Sequence, residues 1–389
     1  MSRTDRPPSA CDIAVVGGGI LGLAVARELK SREPDARVCL LEAEDRLAAH
    51  QSSHNSGVVH AGVYYAPGSL RAKLCVDGAA RLAEYCAERG LPWRSTGKLI
   101  VATREAELPQ LDELERRGRA NGVKELAKVG ADEIPEIEPE ARGLAALHSP
   151  FTAVTDFEAI ALAYADDFES AGGTIHLGSP VLGVRGSRLR TPSGALDAKR
   201  AVFCAGLQSD RLAVACGGSK EPRIVPVRGG YLKVRSDRED LVRGNVYPVP
   251  DPALPFLGAH LTRTIDGSLL IGPTATIAGG LGWPGTWKLM RRHWRASFRE
   301  AADSLLPARL AREAARMVPG LSPADVTRGP AGVRAQALGR DGNLIEDFIT
   351  EKTESGVHVR NAPSPAATSS LSLADLLADE VLSQPDRYA

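Results

Sequence analysis

The stretch that decides the fold is CDIAVVGGGILGLAVARELK, residues 11–30. A short apolar run in it turns on three glycines and continues as an Ala- and Leu-rich helix. The segment ARVCLLEAE at residues 36–44 then predicts a second apolar strand. A strand, a helix and a strand in this order are typical of a parallel sheet.

A glycine motif lies between this first strand and its helix. Gly17, Gly19 and Gly22 fit the spacing G-x-G-x-x-G, and Glu42 ends the second strand. In a dinucleotide site the first glycine permits a tight turn, the second lets the backbone approach a pyrophosphate, and the third lets helix and strand pack closely. The helix N-terminus supplies N–H donors to the phosphates, and the acid accepts hydrogen bonds from a ribose. We predict such a site here, although an ordinary glycine-rich turn can have this spacing and the motif fits both NAD and FAD.

The segment after the second strand favours FAD. Residues 42–65, EAEDRLAAHQSSHNSGVVHAGVYY, are irregular where a nicotinamide enzyme continues with alternating strands and helices. At the carboxyl end of a parallel sheet this segment lies over the pyrophosphate and beyond it, where FAD carries its ring. We therefore expect Ser52 and Ser53 close to the flavin and His60 at its reactive edge. His54 is equally well explained as a structural histidine.

The composition describes a folded protein without a bulk charge preference. Of 389 residues 43% are hydrophobic, and 48 basic residues balance 48 acidic ones, so nucleic acid is not an expected partner. The polar start MSRTDRPPSA differs from a secretory signal, and no window resembles a membrane span. The six cysteines stand singly without metal-ligand spacing. We expect no metal site and a cytoplasmic protein, either free or peripheral on the cytoplasmic membrane face.

Later segments predict a second domain. EPRIVPVRGGYLKV and SLLIGP alternate as antiparallel strands do. We therefore predict an α/β fold that combines a discontinuous Rossmann-type FAD-binding domain with an α+β substrate-binding domain on a mostly antiparallel sheet. The expected segments are 1–92, 150–222 and 327–389 for the FAD-binding domain, and 93–149 and 223–326 for the substrate-binding domain.

Several stretches resemble a known family: HNSGVVHAGVYY, SLRAKLCVDG, RIVPVRGGY, YPVPDPALPFLGAHLTRTIDGS, RGPAGVRAQALGRDGNLIEDF and HVRNAPSPAATSS. They resemble the FAD-dependent L-2-hydroxyglutarate dehydrogenases, or oxidases, of the D-amino-acid-oxidase structural superfamily, from Asp12 to about Val381. The resemblance implies oxidation of L-2-hydroxyglutarate to 2-oxoglutarate by hydride transfer from Cα to flavin N5, with electrons passed to quinone or oxygen. Gly230 stands where an acidic residue is expected, and residues 277–322 match least.

Two tasks in this reaction require particular side chains. An arginine can hold the α-carboxylate with both charge and geometry. Arg334 in GPAGVRAQ is the candidate, because flavin oxidases of this superfamily place their carboxylate-binding arginine in a similar stretch; its alternative role is a salt bridge in domain packing. A base titrating near neutrality must take the hydroxyl proton, which favours histidine. We predict His60 as base or hydroxyl ligand and His260 as a catalytic-pocket residue.

The distal carboxylate separates hydroxyglutarate from lactate or glycolate. We predict that His260, together with Arg263 or Thr262, receives this carboxylate. Tyr64, Tyr65 and Tyr247 either contribute hydroxyl groups to the substrate or pack in the core.

Small residues elsewhere predict further cofactor contacts, because they let the backbone approach a ring closely. In NAPSPAATSSLSLADLLADE we predict a helix from about Ala366, whose positive end suits charge developing at flavin N1 and C2=O. An ordinary capped terminal helix is the alternative. The predicted contacts in these stretches are Val181, Ala205, Gly206, Pro363, Ser364, Ala366 and Ala367.

Residues 282–306 have the pattern of a basic amphipathic helix. Apolar residues recur at helical spacing and basic residues occupy other faces: Trp287, Met290, Trp294, Phe298, Ala301 and Leu305 against Lys288, Arg291, Arg292, Arg295 and Arg299. Such a helix can dock on a membrane and deliver electrons to quinone. The simpler interpretation is a helix packed on the sheet of its own domain.

Two other functions are compatible with the architecture. One is an amino-acid or amine oxidase of the same superfamily, and the other is a dinucleotide-binding regulatory or assembly subunit without turnover. The occurrence of His60 and Arg334 in stretches expected to face the cofactor argues against the second.

Overall fold

A computed structural model of the protein describes residues 6–251, 258–294 and 306–384. The helices of this part are α1 (Ile20–Arg32), α2 (Leu70–Arg89), α3 (Leu108–Ala120), α4 (Ile134–Ile137), α5 (Phe157–Ser170), α6 (Ser209–Ala215), α7 (Pro284–Arg292), α8 (Pro307–Ala314) and α9 (Ser370–Leu382).

The strands, in chain order, are β1 (Ala10–Val16), β2 (Val38–Leu41), β3 (Val58–Val59), β4 (Trp93–Ser95), β5 (Lys98–Ala102), β6 (Ala127–Gly130), β7 (Ala145–Ser149), β8 (Ala153–Thr155), β9 (Thr174–His176), β10 (Gly183–Arg185), β11 (Arg188–Thr191), β12 (Gly194–Phe203), β13 (Arg223–Val234), β14 (Asn245–Pro248), β15 (Leu261–Arg263), β16 (Leu269–Ile271), β17 (Thr276–Ile277), β18 (Val326–Leu338), β19 (Ile349–Thr353) and β20 (Gly356–Asn361).

The first sheet contains the predicted parallel strands. Its order is β10-β11-β12-β1-β2-β9, with β20 beside β12 and β19 beside β20. The neighbours β9, β2, β1, β12 and β20 run parallel, while β10, β11 and β19 pair antiparallel at the margins. Helix α1 packs against α5 and α9, and their apolar side chains form one buried core with β1 and β2. The sequence prediction of a strand, a helix and a parallel strand is confirmed.

Steric contacts explain why glycines occupy the turn between β1 and α1. Gly17 has a φ of 111°, and a Cβ there would lie 2.3 Å from the carbonyl oxygen of Cys204. A Cβ at Gly22 would lie 1.9 Å from the carbonyl oxygen of Gly17. Only glycine lets β1, the start of α1 and the end of β12 approach this closely.

The second sheet is mostly antiparallel. Its order is β17-β13-β16-β15-β14-β5-β7-β6, with β18 also on β13, and its only parallel pair in the described part is β14 with β5. Strand β18 pairs with β13 from Arg223–Leu338 to Val234–Val326. Residues 326–338 therefore belong to the second sheet, whereas the sequence analysis assigned everything after residue 326 to the FAD-binding domain. This pairing joins segments about a hundred residues apart, which local pattern does not reveal.

Two helix ends show how far local signals extend. Helix α2 begins after Ser69, whose hydroxyl accepts a hydrogen bond from the N–H of Ala72 at 3.2 Å, and it ends at Gly90 in the left-handed conformation. Helix α9 instead begins at Ser370, later than the predicted start near Ala366, because a tight turn with an Ala366 N–H to Pro363 oxygen bond of 2.8 Å precedes it.

Helix α7 begins the segment for which the sequence predicts an amphipathic helix. Trp287 and Trp294 are more than half exposed, while Leu289 of the same helix is buried. Three predicted apolar positions, Phe298, Ala301 and Leu305, and two basic ones, Arg295 and Arg299, lie outside the described residues. In the described part of the chain, no helix combines the length and apolarity that a bilayer span requires.

Candidate active site

A cavity of about 1230 Å³ joins the two sheets. At one end it is lined by the glycine turn after β1 and by the carboxyl ends of β2 and β12. At the other end it reaches β13, β14, β18 and His260, which precedes β15. The volume exceeds that of a typical small-ligand pocket, as a site for a dinucleotide plus a substrate requires.

The glycine end has the features of a phosphate and ribose site. Gly17, Gly19 and Gly22 line the cavity, and the N–H of Ile20 donates to the Ser52 hydroxyl at 2.9 Å. The buried Glu42 carboxylate also lines the cavity and accepts hydrogen bonds from the N–H groups of Gly18 and Glu44. These bonds fix the carboxylate at the end of β2, where the sequence predicts a ribose contact.

Of the remaining predicted cofactor contacts, all but Ser53 lie on the cavity wall. Those on the wall are Val181, Ala205, Gly206, Pro363, Ser364, Ala366 and Ala367. Ser53 differs: its hydroxyl donates to the Ala48 oxygen at 2.7 Å, and the residue borders a separate small pocket together with His54. His54 borders both cavities, and its Nδ1 lies 2.9 Å from the His50 oxygen and from the Ser53 hydroxyl.

His60 lies just after β3 and lines the cavity. Its Nε2 is 3.2 Å from the Ser364 hydroxyl, and its backbone N–H donates to the Thr368 hydroxyl at 3.2 Å. Burial lowers the pKa of His60 well below its usual value, and the positive charges of Lys98 and Arg71 lower it further. The imidazole is therefore neutral at pH 7 and has a lone pair that can accept a proton.

His260 lies on the second-sheet side of the same cavity. Its Nδ1 is 2.9 Å from the Gly258 oxygen, and its ring lies 4.2 Å from that of Tyr247 between centroids. Because a carbonyl oxygen only accepts, this contact assigns the proton to Nδ1 and leaves the lone pair on Nε2. Burial lowers the pKa of His260 to about 4, so this imidazole is also neutral at pH 7.

Arg334 lines the cavity from β18. Its Nη2 donates to the Thr274 oxygen at 2.9 Å. A Cβ at Gly229 on the paired strand β13 would come within 3.2 Å of Nη2, so the glycine leaves room for the guanidinium. The Thr274 oxygen thus holds one nitrogen of the Arg334 guanidinium in place. Arg334 lines the same cavity as His60 and His260.

Of the other residues predicted to contact the substrate, some line the cavity and some do not. Tyr65 and Tyr247 line the cavity, whereas Thr262 and Arg263 are not on its wall in the described structure. The Thr262 hydroxyl lies 3.3 Å from that of Tyr247, behind the tyrosine. Arg263 donates to the Glu239 oxygen at 2.6 Å, and its guanidinium lies 3.6 Å from Asp240. Nearby acceptors at residues 239–240 therefore hold Arg263 away from the cavity.

Sequence reasoning missed two cations near His60. Arg71 lines the cavity with its guanidinium 4.5 Å from the Tyr65 ring centroid, and its Nε donates to the Ser364 oxygen at 2.8 Å. Lys98 is the first residue of β5 and is 3% exposed, and burial lowers its pKa to about 8. The signal available for Lys98 was a lysine opening the otherwise apolar strand of GKLIVAT.

Known proteins place this arrangement in a family. The profile described as FAD dependent oxidoreductase matches residues 12–380. The mitochondrial L-2-hydroxyglutarate dehydrogenases of Nematostella vectensis and Homo sapiens are 42% and 41% identical, covering 97% and 96% of this chain and 91% and 89% of their own. The L-2-hydroxyglutarate dehydrogenase of Indibacter alkaliphilus is 39% identical over 93% of this chain and 96% of its own. The chain belongs to the FAD-dependent L-2-hydroxyglutarate dehydrogenase family. The family resemblance predicted from the sequence is confirmed.

Solved structures confirm the predicted fold class of this family member. The FAD-bound L-α-glycerophosphate oxidase of Mycoplasma pneumoniae superposes with a TM-score of 0.81 at 23% identity, covering 97% of this chain and 96% of that one. Glycine oxidase of Geobacillus kaustophilus gives a TM-score of 0.73, also at 23% identity, with the same coverage of both chains. The chain is an FAD-dependent oxidoreductase with a Rossmann-type domain and a second, mostly antiparallel domain.

The residues present fit FAD. At Gly17 and Gly22 a side chain would collide with the backbone of Cys204 and Gly17, so only glycine permits the tight turn that a pyrophosphate site requires. Glu42 offers a fixed carboxylate at the end of β2, and the backbone of residues 363–367 lines the cavity beyond it. The glycine turn would hold the pyrophosphate, Glu42 the ribose of the adenosine, and residues 363–367 the ring portion of the cofactor.

Proposed function

We propose that this protein oxidises L-2-hydroxyglutarate to 2-oxoglutarate. The observation that supports the proposal best is that His60, His260 and Arg334 line one cavity with the glycine turn, in a chain about two-fifths identical to relatives named for this activity. FAD, when bound, supplies the acceptor for the hydride that leaves Cα. The protein's own groups must bind the diacid, orient Cα and take the hydroxyl proton.

Arg334 is proposed to bind the α-carboxylate. Its guanidinium can form two parallel hydrogen bonds to a carboxylate, which fixes both the position and the rotation of the substrate. The bond from its Nη2 to the Thr274 oxygen holds the side chain against the segment between β16 and β17 before substrate arrives. Less side-chain freedom is then lost on binding.

His60 is proposed to accept the hydroxyl proton at Nε2, beside the Ser364 hydroxyl. Its lowered pKa keeps it neutral and competent over the physiological pH range. His260 is proposed to orient the hydroxyl from the other side through Nε2, since its Nδ1 proton is donated to Gly258. The remaining predicted contacts, with Ser53, Tyr65, Tyr247, Thr262 and Arg263, stay untested predictions, and those of Thr262 and Arg263 have no support in the cavity wall.

Anaerobic addition of L-2-hydroxyglutarate to the purified yellow protein tests the function. We expect the L enantiomer to bleach the visible flavin absorbance and to yield 2-oxoglutarate, and the D enantiomer to leave the spectrum unchanged. Bleaching by an amino acid or amine instead would identify an oxidase of the alternative class. A yellow protein that no 2-hydroxy acid or amino acid bleaches would support the non-enzymatic alternative.

Membrane quinone is proposed as the electron acceptor, and α7 as the contact. Leu281, Trp287 and Trp294 are each more than half exposed, and Lys288, Arg291 and Arg292 lie beside them. Interfacial tryptophans flanked by cations are typical of helices that lie on anionic membranes. Co-sedimentation with anionic vesicles should fall sharply in Trp287→Ser/Trp294→Ser, while turnover with a soluble dye acceptor is retained. Equal co-sedimentation of both proteins would leave oxygen as the acceptor to test.

A further inference from the structure

The proposed substrate has a second carboxylate, and two of the contacts that the sequence predicts for it, Thr262 and Arg263, do not line the cavity in the described structure. Arg334 is proposed for the α-carboxylate, while Thr262 and Arg263 are directed elsewhere. A binding site for a buried carboxylate requires a cation or several hydrogen-bond donors, because an unpaired buried charge is costly. The inference below rests on the proposed function and concerns the place of this distal carboxylate.

Lys98 is held among aromatic rings at this end of the cavity. Its Nζ lies 4.4 Å from the ring centroid of Tyr247 and 5.4 Å from that of Tyr64. Both tyrosines line the cavity, as do His60 and His260, whose pKa values the charge of Lys98 lowers. Lys98 itself is not among the residues that line the cavity in the described structure, so its ammonium stands behind the wall that carries the two proposed catalytic histidines.

The charge of Lys98 lacks a carboxylate within the protein. Among residues 6–251, 258–294 and 306–384, no acidic group forms an ion pair with it, and the one electrostatic neighbour that favours its charged form is the buried thiol of Cys75. Aromatic faces compensate a buried ammonium only in part. Such a lysine destabilises the fold in its charged form, which is a cost that a ligand carboxylate would offset.

Tyr64 provides a second, independent observation. Its ring faces Lys98 and lines the cavity, and within the described part of the chain its buried hydroxyl has no hydrogen-bond partner. A buried hydroxyl without a partner is uncommon and indicates a missing acceptor. The unpartnered phenol hydroxyl is a donor that a carboxylate accepts, and the ammonium 5.4 Å from the ring centroid supplies the opposite charge.

Arg71 is the other cation in this part of the cavity, and it already has a structural task. Its Nε donates to the Ser364 oxygen, and its guanidinium stacks on the Tyr65 ring. These contacts hold the turn at residues 363–365 against α2. Arg71 is thus already bound to Ser364 and stacked on Tyr65. Lys98, beside Tyr247, forms no ion pair with an acidic group of the described residues.

We propose that Tyr64, on the cavity wall, and the charge of Lys98, behind that wall, recognise the distal carboxylate of the substrate and thereby select a diacid over a monocarboxylic 2-hydroxy acid. Lys98 is a specificity residue in this scheme, since the reacting atoms lie at the other end of the substrate. Its removal should weaken recognition of the diacid without slowing oxidation of a substrate that lacks the distal charge.

The test compares two substrates of similar shape. L-2-hydroxyvalerate has a methyl group where L-2-hydroxyglutarate has the distal carboxylate. In Lys98→Met we expect kcat/KM for the diacid to fall about 10- to 100-fold, mainly through KM, because the attraction between the buried ammonium and the distal carboxylate is lost. The value for hydroxyvalerate should stay within about twofold. Lys128→Met, on the exposed strand β6, is the matched control and should change neither value.

A binding measurement separates this inference from the proposed function. Glutarate and butyrate, which cannot be oxidised at a hydroxyl carbon, are titrated into the flavin-loaded protein, and binding is followed by the perturbed visible spectrum. Wild type should bind glutarate more tightly than butyrate, and Lys98→Met should lose that preference. If wild type fails to oxidise L-2-hydroxyglutarate, the proposed function fails. If wild type oxidises it and Lys98→Met keeps the diacid preference, only the role of Lys98 fails.

A third measurement uses only the wild-type protein. It tests the role of Lys98 even if Lys98→Met does not retain flavin. The groups that face Lys98 are His60 and His260, neutral from well below pH 7, and Tyr64, Tyr247 and Cys75, whose pKa values burial raises. Glutarate affinity relative to butyrate should therefore fall between pH 7 and 9.5 as Lys98 loses its proton. A constant ratio over this range would overturn the proposal.

Discussion

Nε2 of His60 lies 3.2 Å from the hydroxyl of Ser364, although 304 residues separate them in the chain. The contact joins the polar segment after β2 to the turn before α9, and both line the large cavity. Two further bonds, from the His60 N–H to Thr368 and from Arg71 to the Ser364 oxygen, hold the same two segments together. The position of the proposed base is thus set by the first and the last parts of the FAD-binding domain.

Replacing His60 by Asn should reduce kcat about 100- to 10,000-fold, the range typical for loss of a general base. The pH dependence follows from the lowered pKa of His60: the neutral form persists above that pKa, so wild-type kcat/KM should show no acid decline between pH 8 and 6.5. Rapid-reaction reduction of the bound flavin by L-2-hydroxyglutarate measures both effects. His148→Asn, on β7 outside the cavity wall, is the control and should behave as wild type. An acid limb centred near the ordinary histidine pKa would contradict the role of His60.

The activity of the enzyme should be sensitive even to a conservative change at Arg334. Arg334→Lys keeps the charge but removes the planar pair of donors, so we expect kcat/KM to fall about 100-fold through misorientation of Cα. In Arg334→Met, kcat/KM should fall further, and the binding of both glutarate and butyrate should weaken, because each ligand has a carboxylate for this site. Arg328→Met changes an exposed arginine of the same strand and should leave turnover unchanged. A lysine variant with wild-type kcat/KM would assign the α-carboxylate to another residue.

The glycine turn can be tested by adding a single methyl group. A Cβ at Gly22 would lie 1.9 Å from the Gly17 oxygen, so Gly22→Ala should destabilise the protein by about 3 kcal/mol or more and abolish flavin binding. Gly282→Ala is the matched control, since nothing lies within 4 Å of a Cβ there. The ratio of visible to ultraviolet absorbance after purification measures bound flavin, and urea unfolding measures stability. Full flavin content in Gly22→Ala would be incompatible with the close packing of this turn.

Local signals in the sequence were sufficient for the cofactor end of the site. Gly17, Gly22 and Glu42 act through a turn and two strands that are neighbours in the chain, so spacing alone places them. The end of α2 at Gly90 follows from the same kind of local rule, a left-handed residue that terminates a helix.

The substrate end depends on contacts between distant segments. Strand β18 takes its register from β13, about a hundred residues earlier, and this pairing brings Arg334 opposite Val227. The direction of Arg263 is set by acceptors at residues 239–240, which sequence spacing to His260 does not reveal. Lys98 was missed because a lysine before an apolar run predicts a strand end, and only the packed structure shows its Nζ between two tyrosine rings.

Lys98 also leads to a prediction about stability. Burial lowers its pKa from an ordinary value of 10.5 to about 8, so between these values the unfolded chain binds a proton that the folded protein does not. Stability should therefore rise with pH across this window, and the cost of the charged lysine is fully present below about pH 8. The shift corresponds to about 3 kcal/mol. Lys98→Met should stabilise the ligand-free protein at pH 7 by an amount of this order.

Urea unfolding at pH 7.5 and pH 9.5 measures this contribution. The difference in unfolding free energy between Lys98→Met and wild type should shrink as pH rises, because wild type gradually loses the buried charge. Lys128→Met, which removes an exposed lysine paired with Asp112, should follow wild type at both values. Glutarate at saturating concentration should stabilise wild type more than Lys98→Met, since it binds only the folded state and binds the charged lysine better. A Lys98→Met protein that is less stable than wild type at pH 7.5 would show that the lysine supports the fold, and would remove the argument that its buried charge is kept for a ligand.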